Sequence, residues 1–313
     1  MSVVLSLPTP ERARQWVERL RAELPDWDIR ERDDPGPAEA VEYVVVWRPA
    51  PGWMATFPNL KAIVSIGAGV DHVLADPDCP REVPIIKTTG EDLTQRMREY
   101  VALHVLRLHR ALPELEAAAR ERRWSQVVVP PATSRRVGVM GLGKLGRAAV
   151  MTLLGLGFDV SGWSRTGRAI EGMRGHHGAD GLGDFLADCE ILVCLLPLTP
   201  ETRGILDARL FAALPHGASV VNVGRGQHLV ERDLLAALDS GRISHATLDV
   251  FATEPLPTEH PFWGHPAVSI TPHTASLIDP ATGAAIIARN LLELDKHGEL
   301  ADTANVADAS RGY

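Results

Sequence analysis

The sequence predicts an α/β chain built as two doubly wound parallel-sheet domains, and three observations carry that expectation. Short apolar runs alternate with segments of helical periodicity along most of the length, the pattern of parallel strands covered by helices. One apolar run, Arg136–Met140, leads straight into Gly141-Leu142-Gly143-Lys144-Leu145-Gly146 and a helical stretch at 148–154. With 313 residues the chain is long enough for two medium domains whose cores need no disulfide or metal staples.

From the start, residues 3–7 read as a strand, 11–24 as a helix, and 43–47, 62–66 and 83–87 as strands. Roughly the first 90 residues therefore form a small α/β unit. The stretches 33–37 and 48–52, rich in Pro and Gly, are its connecting loops. A long helical segment, 93–122, then carries the chain onward, with Met97, Val101, Leu103, Val105, Leu106, Leu108 and Leu112 marking its buried side. His104 and His109 on it lack an i, i+4 His or acidic partner and read as packing or surface histidines. Pro130-Pro131 ends the connection.

Beyond the glycine-rich turn come a strand at 158–163, helices near 170–174 and 183–187, and a strand at 191–196. A helix at 207–214, a strand at 218–223, a helix at 231–239 and strands at 246–250 and 268–271 complete a doubly wound domain of about six strands. His176-His177 lies between glycines and reads as a loop. The last helix, 280–297, is expected to return to the first domain, and 301–313 reads as a frayed tail.

Composition narrows the function classes. Apolar residues at 45% and charged residues at 23% are ordinary for a soluble globular protein, and no apolar run approaches the roughly 18 residues of a membrane span. A net charge of −8 argues against nonspecific nucleic-acid binding. The apolar residues 3–7 are followed at once by Pro8, Pro10 and Glu11, which is not the form of a secretory signal. Cys79, Cys189 and Cys194 lack metal-ligand spacing, so a reducing, cytoplasmic setting and no metal are expected. Cys194, inside an apolar run, reads as a buried structural thiol.

The glycine spacing is the sequence form of a dinucleotide site. Gly141 permits the tight turn out of the strand, Gly143 lets a pyrophosphate approach the backbone, and Gly146 lets helix pack on sheet. The phosphates are expected on the N–H groups that open the helix, at Lys144 and Leu145, where the helix dipole also favours negative charge. The next strand ends Trp163-Ser164-Arg165-Thr166-Gly167-Arg168 with no acid at its tip. Ser164 and Thr166 can donate hydrogen bonds there, and Arg165 and Arg168 can pair with a 2'-phosphate dianion that an acid would repel. NADPH is therefore expected over NADH.

Three later segments end strands on the same sheet edge. Asn222-Val223-Gly224-Arg225-Gly226 sets an arginine between glycines, Asp249 leads towards Glu254, and Thr271-Pro272-His273-Thr274-Ala275 places a histidine in a loop. Together Arg225, Glu254 and His273 suit hydride transfer to a carbonyl. A histidine with a carboxylate partner is a proton donor for the oxygen, and an arginine can bind an adjacent carboxylate and polarise the carbonyl. In the first unit, Ser65-Ile66-Gly67-Ala68-Gly69-Val70-Asp71 is either an anion-binding loop or a plain turn, and Trp47-Arg48 either flanks a pocket or is a packing Trp beside a solvated Arg.

On these motifs the chain resembles the D-isomer-specific 2-hydroxyacid dehydrogenases, from about Tyr43 to Ala275. The resemblance implies Arg225 as binder of substrate carboxylate and carbonyl, His273 as proton donor and Glu254 as its partner. It implies that Asp249 holds the nicotinamide carboxamide and that Leu196, Pro197, Thr202, Val223, Gly224 and His273 line the cofactor. It also implies a substrate contact through Trp47, Arg48 and the N–H groups of Ala68 and Gly69. The implied fold is a flavodoxin-like substrate domain, 1–98 plus 280–313, and a Rossmann coenzyme domain, 99–279, with a cleft between them that closes on substrate. A homodimer joined through the coenzyme domains is implied as well.

Within the family, Trp47-Arg48, the Gly67-to-Asp71 loop, Arg98-Glu99-Tyr100 and Trp163-Ser164-Arg165 resemble the glyoxylate/hydroxypyruvate reductase A subgroup, whose cofactor is NADPH. A small 2-oxo acid is then the expected substrate. Two alternatives stay open at this point: a dehydrogenase of bulkier 2-oxo acids, and a non-catalytic protein that senses dinucleotides on the same fold.

Overall fold

In the computed structural model, which describes residues 1–308, the chain leaves its first unit and later returns to it. Met1–Leu93 and the chain from Leu277 onward form one unit, and Thr94–Ser276 forms the other. Met97 and Val101 thus belong to the second unit, where they pack with Val137, Val139 and Leu153.

In the first unit β1 (Ser2–Ser6), α1 (Pro10–Glu23), β2 (Asp28–Glu31), β3 (Tyr43–Val46), β4 (Ala62–Ser65), α2 (Asp71–Leu74) and β5 (Ile85–Lys87) follow in order. The strands lie parallel in the order β2-β1-β3-β4-β5, the flavodoxin-like arrangement. Every residue of β1, β3 and β4 is buried, as expected of a parallel sheet covered on both faces. The charged strand β2 is the exception. It buries only Ile29 fully and stands at the sheet edge, so apolar patterning does not reveal it.

The chain enters the second unit along α3 (Glu91–His109), followed by α4 (Leu112–Arg120). The single helix expected over 93–122 is therefore two. Ala111 takes a left-handed conformation, φ 52°, and Pro113 cannot supply the N–H that a continuous helix needs at that point. Next come β6 (Arg136–Met140), α5 (Lys144–Gly155), β7 (Asp159–Ser164), β8 (Arg174–His177), α6 (Leu182–Ala187) and β9 (Ile191–Cys194). The unit closes with α7 (Ala208–Ala213), β10 (Ala218–Asn222), α8 (Glu231–Asp239), β11 (Ile243–Leu248) and β12 (Val268–Ile270).

Its sheet has seven parallel strands in the order β12-β11-β10-β9-β6-β7-β8, so the order reverses beside β6, where the glycine-rich turn begins. Two expectations are corrected here. Residues 170–174 are a turn leading into β8 rather than a helix, and His176-His177 lies in that strand, paired with Trp163 and Ser164. β8 is an exposed edge strand without an apolar residue, which hides it as β2 is hidden. Alternation along the central strands builds a core on each face: Leu192, Cys194 and Val220 pack with Phe185 and Phe211, whereas Ile191, Val193 and Val221 pack with Val105 and Leu153. Cys189 and Cys194 are fully buried free thiols, and burial pushes both up to about 12.

The last helix, α9 (Pro280–His297), packs on α1 in the first unit. Asp279 caps it, accepting hydrogen bonds from Ala281 and Thr282, and Gly298 ends it at φ 76°. The tail is ordered at least as far as Ala307, whose N–H bonds to Ile85. The expected fraying is corrected over that stretch, and residues 309–313 lie outside the described residues. Among the described residues no helix is long and apolar enough to cross a membrane.

At the α1–α9 contact the outer edge of the Trp16 indole packs against Gly283, and a Cβ on Gly283 would run into the ring. Gly283→Ala is expected to destabilise the protein by about 1–3 kcal/mol through overpacking. Urea unfolding reads this as a lower midpoint. An unchanged midpoint would mean that Trp16 moves aside freely.

Candidate active site

All strands of the second unit run parallel, so the loops after β6, β7, β9, β10, β11 and β12 emerge on one edge. At the first of these Gly141 has φ +96°, and a Cβ there would stand 2.6 Å from the Leu195 carbonyl oxygen. A Cβ on Gly146 would collide with the Gly141 carbonyl, whereas one on Gly143 would meet nothing within 4 Å. Two glycines thus serve close packing, and the third leaves open space over the start of α5. No side chain caps α5 and its first turn carries no acid, so the N–H groups that begin at Lys144 and Leu145 suit an anion.

Ser164 ends β7 with its hydroxyl buried and without a hydrogen-bond partner in the protein, while Arg165, Thr166 and Arg168 beyond it are exposed. An orphaned hydroxyl at the end of β7 and an uncapped helix start on the same sheet edge fit a dinucleotide, so the residues present suit the cofactor. The exposed Glu201 carboxyl is held below its usual range, first by a hydrogen bond from Thr199 and least by the charge of Arg165.

The loops after β9 and β10 are tied together. Thr202 donates to the Pro197 carbonyl at 2.7 Å and accepts from the Thr199 N–H at 2.8 Å, which fixes the turn beyond Leu196. Asn222 brackets the next loop, accepting from the Gly224 N–H at 3.2 Å and donating to the Arg225 carbonyl at 3.0 Å. The Arg225 N–H donates to His228 Nδ1 at 3.0 Å, so the His228 proton resides on Nε2, which lies 3.2 Å from the Pro197 carbonyl. One neutral, fully buried imidazole therefore joins the Arg225 loop to the Pro197 loop. Sequence reading passed over His228; its spacing three residues beyond Arg225 was the available signal.

Asp249 stands just past the end of β11 rather than within a strand, and only 1% of it is exposed. Its carboxylate accepts from Thr271 Oγ1 at 2.7 Å, the Thr274 N–H at 2.8 Å and the Ala275 N–H at 3.0 Å. Its carbonyl also accepts from the His273 N–H at 2.8 Å. His273 is held in a left-handed conformation, φ 54°, with Nδ1 2.9 Å from Glu254 Oε2. Glu254 is itself oriented, because Oε1 accepts from the Phe251 N–H at 2.9 Å. This is a carboxylate–histidine pair with both members aimed, the arrangement that general acid–base chemistry requires.

In the first unit β3 ends at Val46, so Trp47 and Arg48 follow the strand. The Trp47 indole packs on Gly67, where a Cβ would stand 2.9 Å from the ring, and its ring centre is 4.4 Å from that of His72. Trp47 is thus packed against the loop, and Arg48 follows it in a left-handed conformation, φ 53°. Gly67, Ala68 and Gly69 are partly exposed in a loop that Ser65 bends back, donating from Oγ to the Gly69 carbonyl at 2.9 Å.

Residues 102–275 match the family model of the D-isomer specific 2-hydroxyacid dehydrogenase NAD binding domain. The chain is 39% identical, over 306 residues covering 96% of each protein, to glyoxylate/hydroxypyruvate reductase A of Serratia proteamaculans. The chain belongs to the D-isomer specific 2-hydroxyacid dehydrogenase family. It is an NAD(P)-dependent enzyme of that family, which sets aside the reading as a non-catalytic sensor.

Full-length likeness extends to solved members of the family. A dehydrogenase of Xanthobacter autotrophicus Py2, in complex with NADPH and MES, is 44% identical with a TM-score of 0.92, over 100% of this chain and 99% of that one. The NADPH-dependent glyoxylate/hydroxypyruvate reductase of Sinorhizobium meliloti, in complex with NADP and sulfate, is 38% identical with a TM-score of 0.91 over the same shares. Both dehydrogenase-family sheets, of five and seven strands, are present in this chain.

Proposed function

We propose that this dehydrogenase reduces small 2-oxo acids with NADPH, converting glyoxylate to glycolate and hydroxypyruvate to D-glycerate. The observation that carries this reading is the likeness along 96% of both chains to a glyoxylate/hydroxypyruvate reductase A. The oriented His273–Glu254 pair supports the chemistry.

When bound, the reduced nicotinamide supplies the hydride that adds to C2 of the acid. Gly141, Gly143, Lys144, Leu145 and Gly146 would hold the pyrophosphate. Ser164, Arg165, Thr166 and Arg168 would hold the ribose and its phosphate, with Leu196, Pro197, Thr202, Val223, Gly224 and Asp249 along the rest. Arg225 binds the substrate carboxylate through its fork and draws electron density from the adjacent carbonyl. In the first unit Trp47, Arg48 and the Ala68 and Gly69 N–H groups are proposed as substrate contacts. His273 carries a proton on each ring nitrogen: Nδ1–H is held by Glu254, and Nε2–H passes to the carbonyl oxygen as it becomes a hydroxyl. The neutral imidazole then regains a proton from water.

Initial rates of NADPH and NADH oxidation against glyoxylate, hydroxypyruvate and phenylpyruvate test the proposal. Fast turnover of the two small acids with NADPH supports it. Preference for phenylpyruvate would move the substrate to bulkier acids, and no turnover would remove the reaction altogether. Arg165→Asp is expected to raise the KM for NADPH at least about tenfold and that for NADH far less, since the substituted acid repels only the 2'-phosphate. Equal effects on both would take Arg165 out of the phosphate site.

A homodimer joined through the coenzyme units is part of the same proposal. Trp124 and Val128, 93% and 98% exposed, are apolar side chains of the kind an interface covers. A monomer mass by light scattering would remove it.

A further inference from the structure

Tyr100 stands on α3 within the second unit, with its hydroxyl 2.6 Å from Thr271 Oγ1. The direction of that bond follows from what lies beyond it. Thr271 Oγ1 is 2.7 Å from Asp249 Oδ1, and both carboxylate oxygens already face N–H donors, Thr274 at Oδ1 and Ala275 at Oδ2. The carboxylate therefore acts as an acceptor, and the one hydroxyl proton of Thr271 is directed to it. Tyr100 must be the donor to Thr271. Burial raises the Tyr100 pKa above the usual phenol range, which keeps that proton in place.

The chain of donors ends on the loop that carries His273. Asp249 is the common acceptor of three successive N–H groups, His273 on its carbonyl and Thr274 and Ala275 on its carboxylate. Between them His273 keeps φ 54°, a conformation that costs a non-glycine residue about 1 kcal/mol or more unless its surroundings hold it. Any shift of Asp249 changes the aim of the imidazole. Tyr100 is in turn fixed by its ring, 4.2 Å from the His104 ring, and burial pushes His104 down to about 4, so it stays neutral.

We infer that Tyr100 and Thr271 form a hydroxyl relay that, through Asp249, positions the His273 loop for proton transfer. Both are positioning residues, and the inference rests on the reading of His273 as proton donor. A donor-to-acceptor chain of this kind strengthens each bond in it, and removal of its first member loosens the last.

The test uses the full chain with NADPH and the acid it reduces fastest, in Tyr100→Phe, Thr271→Val and the double variant. Each single change is expected to lower kcat about tenfold, with KM and NADPH affinity within about twofold of wild type. The double variant should lose no more than the worse single, because both remove one relay. Wild-type kcat in Tyr100→Phe overturns the relay, as do losses that multiply in the double. Should Tyr100→Phe not fold, Thr271→Ser, which keeps the hydroxyl, is expected to retain the rate that Thr271→Val loses; equal rates overturn the inference.

The His273 ring resonances give a readout independent of turnover. They should move alike in Tyr100→Phe and Thr271→Val, and fixed resonances overturn the relay. If the wild-type protein reduces none of the acids, the proposed reaction fails and these resonances alone decide the relay.

Discussion

Replacing His273 is expected to lower kcat by about two to four orders of magnitude while the dissociation constant for NADPH stays within a few-fold of wild type. The imidazole Nδ1 lies 2.9 Å from Glu254, and Glu254 has a second anchor in the Phe251 N–H. Loss of the ring therefore leaves its partner in place. The choice of replacement matters, because residue 273 has φ 54° and alanine resists that backbone. Asparagine accepts it and cannot serve as the acid. His273→Asn and His273→Ala should both be slow, and the backbone cost of alanine should show only in its unfolding midpoint. Stopped-flow rates and fluorescence titration of NADPH read the two quantities. A His273→Asn variant at more than a tenth of the wild-type rate would remove the histidine from its proposed role.

Arg225→Ala is expected to damage both kcat and KM, together by about three orders of magnitude in kcat/KM, because the side chain is assigned to substrate binding and to the carbonyl alike. The loop should survive the change. Arg225 is braced through its backbone, N–H to His228 and carbonyl to Asn222, and alanine keeps both bonds. Arg225→Lys sharpens the result: it retains the charge and loses the fork, so a KM still far above wild type would locate the effect in paired hydrogen bonds rather than charge. If alanine raised KM alone and left kcat intact, Arg225 would bind substrate without polarising it.

The sheets and most of the helices were legible because parallel strands are buried on both faces and show as apolar runs. What the sequence concealed was the edges. β2 and β8 carry charge where an edge must discourage further pairing, so Asp28–Glu31 and Arg174–His177 lack the apolar signal. The α3–α4 break was visible in Pro113 but is set by Ala111 in a left-handed conformation, which no periodicity reports. In the site, glycine, arginine, glutamate and histidine stood out because each sits in a recognisable local pattern. His228 did not, and Thr271 and Tyr100 stood in quoted motifs without a role of their own, because partners 171 residues apart in sequence meet only in the folded unit.

The interrupted course of the first unit bears on how the protein is made. A ribosome releases β1 to β5 early, yet α9, which covers α1 and receives Trp16 at Gly283, emerges only after the second unit. The second unit is continuous, from Thr94 to Ser276, and is fully synthesised before α9 appears. The nascent chain thus inverts the usual N-terminal-first order of domain completion. The half translated first waits, with one helix unmatched, until the whole second unit has been made.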